Sequence, residues 1–227
     1  MIITIDGPAV SGKSTVAKLL ARSLHVYYVN TGLLYRALAY ALLLDKQYTR
    51  DRLHNPDHQD VQDCLHPDVL VYEYNNTYAS IIYKKDDITF RCKDADISEA
   101  SSLVAADKFV RECMVAYQRN IAHEKSVVVE GRDTGSNVFP HADIKFYLTA
   151  SIGVRAQRLI NFEAHKGNEL SRDDAQRLLQ KRDHRDMTRL HAPLLKPEGA
   201  IEIDASSMSA IEVVELMKKH IISLKKK

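Results

Sequence analysis

Eight residues near the start of the chain, Gly7-Pro8-Ala9-Val10-Ser11-Gly12-Lys13-Ser14, restrict the fold more than any other stretch. They match the pattern G-x-x-x-x-G-K-[ST]. The β-branched, apolar run 2–6 precedes them, and Val16, Leu19, Leu20 and Leu24 follow at helical spacing. Strand, glycine-bearing turn and helix in that order make a phosphate cradle. Gly7 and Gly12 let the backbone curl until successive N–H groups converge on phosphate oxygens. The positive end of the next helix adds to that field. Lys13 can place its ammonium on the β- and γ-phosphates, and the Ser14 hydroxyl can ligate Mg²⁺. A bare strand-to-helix turn needs neither residue.

The rest of the chain repeats the rhythm. Residues 26–29, 126–130, 144–149 and 201–204 read as short apolar strands. Residues 14–24, 31–44, 151–165, 172–189 and 209–224 read as helices. Short apolar strands between helices predict an α/β fold with a parallel sheet covered on both faces. The middle breaks the pattern. Residues 46–67 are polar and loop-like, with a break at Pro56. Residues 69–74 and 79–83 are β-rich and flank Asn75-Asn76-Thr77, a hairpin turn, and 97–123 is mainly helical. The expected organisation is a core of 1–44 and 124–227, with a small β-containing insert at 45–123.

A cradle does not name the phosphoryl acceptor. An N-K-x-D base-reading motif would mark a GTPase, and the sequence has none. With 227 residues the chain is too short for a helicase-type motor, and a net charge of +2 gives no global basic field for nucleic acid. No apolar run approaches the ~20 residues that span a bilayer. The three cysteines lack a C-x-x-C pair, so a reducing cytoplasm is expected. Seven of the 15 arginines lie between 155 and 189. Arg182, Asp186 and Arg189 share a helix face, either as a solvated face laced with ion pairs or as a functional one. Arginines suit an acceptor that is itself a phosphate. Such an acceptor is already anionic and needs no general base, but two repelling anions must be brought together.

These residues resemble the bacterial cytidylate kinase family. The likeness rests on Ile5-Asp6-Gly7-Pro8-Ala9-x-Ser11-Gly12-Lys13-Ser14-Thr15, Thr31-Gly32-x-x-Tyr35-Arg36, Gly131-Arg132-Asp133-x-Gly135 and Val138-Phe139-Pro140. Arg155-Ala156-x-Arg158, Arg182-Asp183-x-x-Asp186-x-x-Arg189 and Ala192-Pro193-Leu194 complete it. Three positions depart from the family pattern: Asn30 for Asp, Asn137 for a β-branched residue, and Leu159 for a further Arg. The resemblance implies a P-loop NTPase three-layer fold with a helical lid at about 155–190 and a nucleoside-monophosphate-binding insert. It implies transfer from ATP to CMP or dCMP with Mg²⁺, in a cytoplasmic monomer without nucleic-acid or membrane partners. Gly7, Pro8, Ala9, Val10, Ser11, Gly12, Lys13, Ser14 and Thr15 would hold ATP. Ser102, Arg111 and Asp133 would read the cytosine, and Arg182 and Asp186 would hold the sugar. Arg36 and Arg132 would grip the acceptor phosphate, with Thr31 and Tyr35 lining the same site. Lys13, Arg132, Arg155, Arg158 and Arg189 would be catalytic, the last three facing the transferred phosphoryl.

Base chemistry adds its own argument. Cytosine presents an N4 amino donor where uracil presents a carbonyl oxygen, so the Asp133 carboxylate would accept from one and repel the other, while Arg111 donates to O2 or N3. The alternatives for Asp133 are a turn residue after a strand or a Mg²⁺-facing acid. The nearest rival function is a small P-loop kinase for another monophosphate or an alcohol. A rival of another class is a nucleotide-dependent switch or RNA-binding module. His54, His58, Cys64 and His66 lack zinc spacing and read as surface loop residues. The basic end Leu224-Lys225-Lys226-Lys227 reads as a solvated helix terminus, and the tyrosines of the hairpin as packing.

Overall fold

The computed structural model describes residues 1–224. In chain order, β1 is Ile2–Asp6, α1 Lys13–Leu24, β2 Tyr27–Asn30 and α2 Thr31–Tyr40. Next come α3 (His58–Cys64), β3 (Leu70–Tyr74), β4 (Ala79–Tyr83), β5 (Asp86–Asp87), α4 (Ala95–Val104) and α5 (Lys108–Ala122), in the stretch read from sequence as an insert. Then follow β6 (Val127–Gly131), β7 (Ile144–Thr149), α6 (Ile152–Ala164), α7 (Arg172–Thr188), β8 (Ile201–Asp204) and α8 (Ala210–Leu224). Five strands form one sheet in the order β2-β6-β1-β7-β8, and every neighbouring pair is parallel. Asp6 lies beside both Gly131 and Tyr147, and Asn30 beside Glu130. The carboxyl ends of the central strands therefore meet along one edge, where ligands bind in open parallel sheets.

Burial follows the sequence pattern. Ile3, Ile5, Val128, Phe146 and Leu148 are wholly buried on the central strands, and Leu20, Leu34 and Leu38 pack on them from helices. Strands with both faces covered read as continuous apolar runs, and all five strands of the sheet were legible to within a residue. The helix read as 31–44 widens into a π-helical turn at Ala41–Asp45 rather than continuing as α.

The insert holds the main correction. The stretch read as loop at 46–67 contains a 3₁₀ turn at Asp51–His54 and α3. Asp57, directly after Pro56, caps α3 by accepting the Gln59 and Asp60 amides. Leu53, Val61 and Cys64 supply the buried side. Cys64 is thus no surface residue; its sulfur lies 3.7 Å from the Tyr83 hydroxyl. His54, His58 and His66 are exposed, and the His58 ring stacks on Phe109. The antiparallel β3–β4 hairpin forms as read. Its tyrosines pack: Tyr72 and Tyr74 meet Tyr27 and Tyr28 edge-on at centroid distances of 5.6–6.3 Å. One continuous apolar core runs from the parallel sheet through this hairpin. A second, small cluster joins Ala9 to Ala156 of α6 and to Ala175 and Leu179 of α7. Lys225, Lys226 and Lys227 of the basic end lie outside the described residues.

Tyr72 ties the hairpin to the sheet. Its hydroxyl accepts the Asn30 amide and donates to the Tyr28 carbonyl, both at 3.0 Å. Tyr72→Phe should lower unfolding stability by about 1–3 kcal/mol, because two backbone groups lose their partner. Urea unfolding with an unchanged m-value checks this.

Candidate active site

The loop between β1 and α1 has an unusual backbone. Gly7 and Gly12 have φ of 148° and 101°, and the β-branched Val10 has φ of 58°. A Cβ on Gly7 would land on the Leu148 carbonyl oxygen, so only glycine lets the loop leave the sheet here. Val10 in the left-handed region costs roughly 1–2 kcal/mol, and the small cluster around Ala9 holds it. Lys13 is buried, with Nζ donating to the Pro8 carbonyl at 2.6 Å and to Ser11 Oγ at 3.3 Å. Burial pushes its ammonium well below the usual lysine range, and the neighbouring Arg132 charge acts the same way. The exposed Ser14 donates from Oγ to Glu130 Oε1 at 2.6 Å. Glu130 also accepts from the Tyr28 hydroxyl at 3.2 Å, and Asn30 Nδ2 donates to that hydroxyl at 3.2 Å.

Arg155 and Arg158 reach the loop from behind. Arg155 Nη1 donates to the Ala9 carbonyl at 3.1 Å and to Asp183 Oδ2 at 2.5 Å, while its Nε donates to the Ala150 carbonyl. Arg158 donates to the carbonyls of Ser11 at 2.8 Å and Ala205 at 2.9 Å. Both brace main-chain carbonyls. Buried carbonyl oxygens need donors, and these guanidiniums supply them.

The insert side and α7 form the second half. Asp133 is buried after the β6 end and ion-pairs with Arg111 of α5 and with Arg189. Asn137 Nδ2 also donates to Asp133, at 3.2 Å. Arg189 therefore lies with Asp133. Arg189 follows α7 and also donates twice to the Ala192 carbonyl, which folds it back toward Asp133. Arg132 donates from Nε to Asp186 at 2.9 Å. Burial would lower the Arg132 pKa, but the Asp186 charge and hydrogen bond hold it above the ordinary value. Burial would raise Asp186, and the charges of Arg132 and Arg182 outweigh that and hold it low. Arg182 donates to Ser98 Oγ at 3.3 Å, and burial beside Arg132 pulls it down to about 10. Burial pushes the Tyr35 hydroxyl up to about 12, with its ring 5.6 Å from the Arg111 guanidinium. Thr31 spends its hydroxyl on the Glu130 carbonyl at 2.9 Å.

Unmatched donors mark where a ligand fits. Among the described residues, nine buried side-chain polar atoms have no partner. Six of them are Tyr35 Oη, Ser102 Oγ and the Nε atoms of Arg36, Arg111, Arg182 and Arg185. Buried unpaired donors are costly, and here four belong to guanidiniums, so an anion is the fitting partner. Arg132 interacts electrostatically with both Lys13 and Arg36, which joins the donors to the cradle.

Sequence reasoning assigned no role to Asp6, Glu130, Asp183 or Arg185. Asp6 and Glu130 end buried strands, and a carboxylate at the carboxyl end of a parallel strand was the available clue. Asp6 accepts the Thr134 amide and hydroxyl, each at 2.8 Å, and the Gly135 amide at 2.7 Å, fixing the turn that carries Asp133. A Cβ on Gly135 would meet Thr4 Oγ1 at 2.7 Å, so that approach requires glycine.

Residues 3–223 match a family model described as cytidylate kinase. A cytidylate kinase from Listeria monocytogenes is 36% identical over 211 residues, covering 93% of this chain and 91% of that one. One from Pediococcus pentosaceus is 34% identical over 212 residues, with the same two shares of 93% and 91%. A solved structure of an uncharacterised protein from Eubacterium ventriosum matches with a TM-score of 0.54 at 16% identity, over 98% of this chain and 99% of that one. That likeness is one of fold. No described helix is long and apolar enough to cross a membrane.

Burial raises the Asp6 pKa from 3.8 to about 6 against the opposing pull of the Gly135 and Thr134 hydrogen bonds. A carboxyl raised on folding favours the folded state below its unfolded pKa and loses that contribution as pH climbs through the folded one. For the shift from 3.8 to about 6 this amounts to on the order of 3 kcal/mol. Urea unfolding between pH 4 and pH 7 should show this decline, and Asp6→Asn should flatten it whatever the variant's absolute stability.

Proposed function

The chain belongs to the cytidylate kinase family, and on that premise we propose that its site transfers the γ-phosphoryl of ATP directly to the phosphate of CMP or dCMP. The observation that carries this reading is the set of unpartnered buried guanidinium donors next to the Lys13 loop. A second anion site beside a triphosphate cradle is what a phosphate acceptor requires, and a switch has no use for it.

The loop from Gly7 to Thr15 wraps the triphosphate with main-chain amides other than those of Pro8, which has none, and Ala9, which Asp183 holds. Lys13 exchanges the Pro8 carbonyl for the β- and γ-phosphates, so its desolvated ammonium meets developing charge in a water-poor setting. Arg36 and Arg132 hold the acceptor phosphate, with Arg185 added to the residues read from sequence. The acceptor oxygen is already anionic, so the protein's task is to offset repulsion and align the two groups. Arg182 and Asp186 take the sugar. Asp133 reads the base: Arg111, Arg189 and Asn137 occupy three of the roughly four acceptor positions of a carboxylate, leaving one for the N4 amino group of cytosine. Ser102 adds a free hydroxyl on α4. Arg155 and Arg158 keep the loop carbonyls turned outward so that its amides face in.

Ser14 Oγ with Glu130 makes a hard-oxygen pair at the loop edge, which suits Mg²⁺ better than a softer metal. Bound there with ATP, Mg²⁺ would neutralise phosphate charge; Ser14 would ligate it and Glu130 would orient the hydroxyl. Residues 45–123 act as the acceptor-binding insert and about 155–190 as the lid, in a monomer. Three unpaired cysteines fit a reducing cytoplasm.

Purified protein with Mg²⁺·ATP should release ADP strongly with CMP or dCMP, weakly with UMP, and little with AMP or GMP. ADP release that is equal without acceptor would refute the kinase reading. Lys13→Ala should lower kcat by about 10²–10³. Asp133→Asn should cut the CMP-over-UMP ratio of kcat/KM by about tenfold or more while ATP binding holds.

A further inference from the structure

We propose that Asp183 is a positioning residue that locks the phosphate cradle to the helix bearing the acceptor contacts. The proposal rests on the assignment of the loop to the triphosphate and of Arg182 and Asp186 to the acceptor nucleotide. Asp183 is buried on α7, one residue after Arg182 and three before Asp186. Its Oδ1 accepts the Ala9 amide at 2.9 Å, and its Oδ2 accepts Arg155 Nη1 at 2.5 Å. Arg155 Nη1 in turn donates to the Ala9 carbonyl at 3.1 Å. The amide and the carbonyl of one loop residue are thus both held by the α6–α7 pair. Apolar contacts surround the junction, because Ala9 packs with Ala156, Ala175 and Leu179.

Two physical consequences follow from this geometry. First, the orientation of the Ala9 peptide sets the curl of the strained Val10 that comes next, and so the aim of the following amides. Second, a lone carboxylate beside an anion cradle would repel phosphate. The Arg155 charge balances it, so Asp183 can serve as a loop acceptor without weakening the cradle. A helix moves as a unit, so any shift of Arg182 and Asp186 onto a nucleotide carries Asp183 and the Ala9 amide with it. Donor and acceptor phosphates then reach their alignment in one motion.

Two variants test this. Asp183→Ala removes the acceptor for Ala9 and should weaken ADP binding, measured by calorimetric titration, by about tenfold. Its KM for CMP should stay within about twofold of wild type, because Arg132, Arg36 and Asp133 are untouched. A merely structural residue would lower the melting temperature and move both values together; an unchanged ratio of ADP Kd to CMP KM overturns the proposal. Asp183→Asn preserves volume and the Ala9 acceptor but removes the charge opposite Arg155. It should keep ADP affinity within about threefold while kcat falls by about tenfold. A wild-type kcat in Asp183→Asn also overturns the proposal. The ADP titration involves no acceptor, so its outcome stands apart from the choice of CMP.

Discussion

Like charges crowded at the end of a sheet are the constraint on which the site depends. Lys13, Arg36, Arg182 and Arg189 are pulled below their ordinary values by burial and by neighbouring cations, whereas nearby acidic groups hold Arg111 and Arg132 above theirs. Such a cluster folds only because carboxylates are interleaved with it. Asp186 pairs with Arg132, and Asp133 with Arg111 and Arg189. Each acid does double work, holding its arginine and leaving an acceptor edge for a neutral part of a ligand. The cations remain in excess, and that excess is the binding capacity for phosphate.

The sheet explains how side chains distant in sequence meet. Parallel pairing with Asp6 level with Gly131 places the glycine loop and the Arg132–Asp133 turn side by side. Asp6 then fastens that turn through three hydrogen bonds, so the element that binds one phosphate also positions the reader of the base. Helices α6 and α7 brace the loop from outside. The strain at Val10 is tolerable because its surroundings are overdetermined by packing and by carbonyl acceptors.

Much of this was legible in the sequence because period and burial coincide there. Strands 2–6 and 144–149 were read to the residue, since short β-branched or aromatic runs bounded by turns have one reading. The glycine loop was legible because its residue types answer to a single geometry. Helix α3 was not, because its cap and short buried side are set in polar sequence and become apparent only against the insert. Asp183 was hidden for a different reason. A carboxylate among arginines on a polar helix looks like surface ion pairing, and spacing along one helix says nothing of an amide 174 residues away. The sequence could not show the partners of Arg155 and Arg189, the Ala9 carbonyl and Asp133, because they lie far along the chain.

The tyrosine seam between the hairpin and β2 has a consequence beyond packing. β2 is a terminal strand of the parallel sheet, and such a border offers bare main-chain groups to any passing extended chain. The Tyr72 hydroxyl takes up the Asn30 amide and the Tyr28 carbonyl, doing with one side chain what an added strand would do with its backbone. The hairpin thereby covers this border of the sheet, a contribution unrelated to nucleotide chemistry.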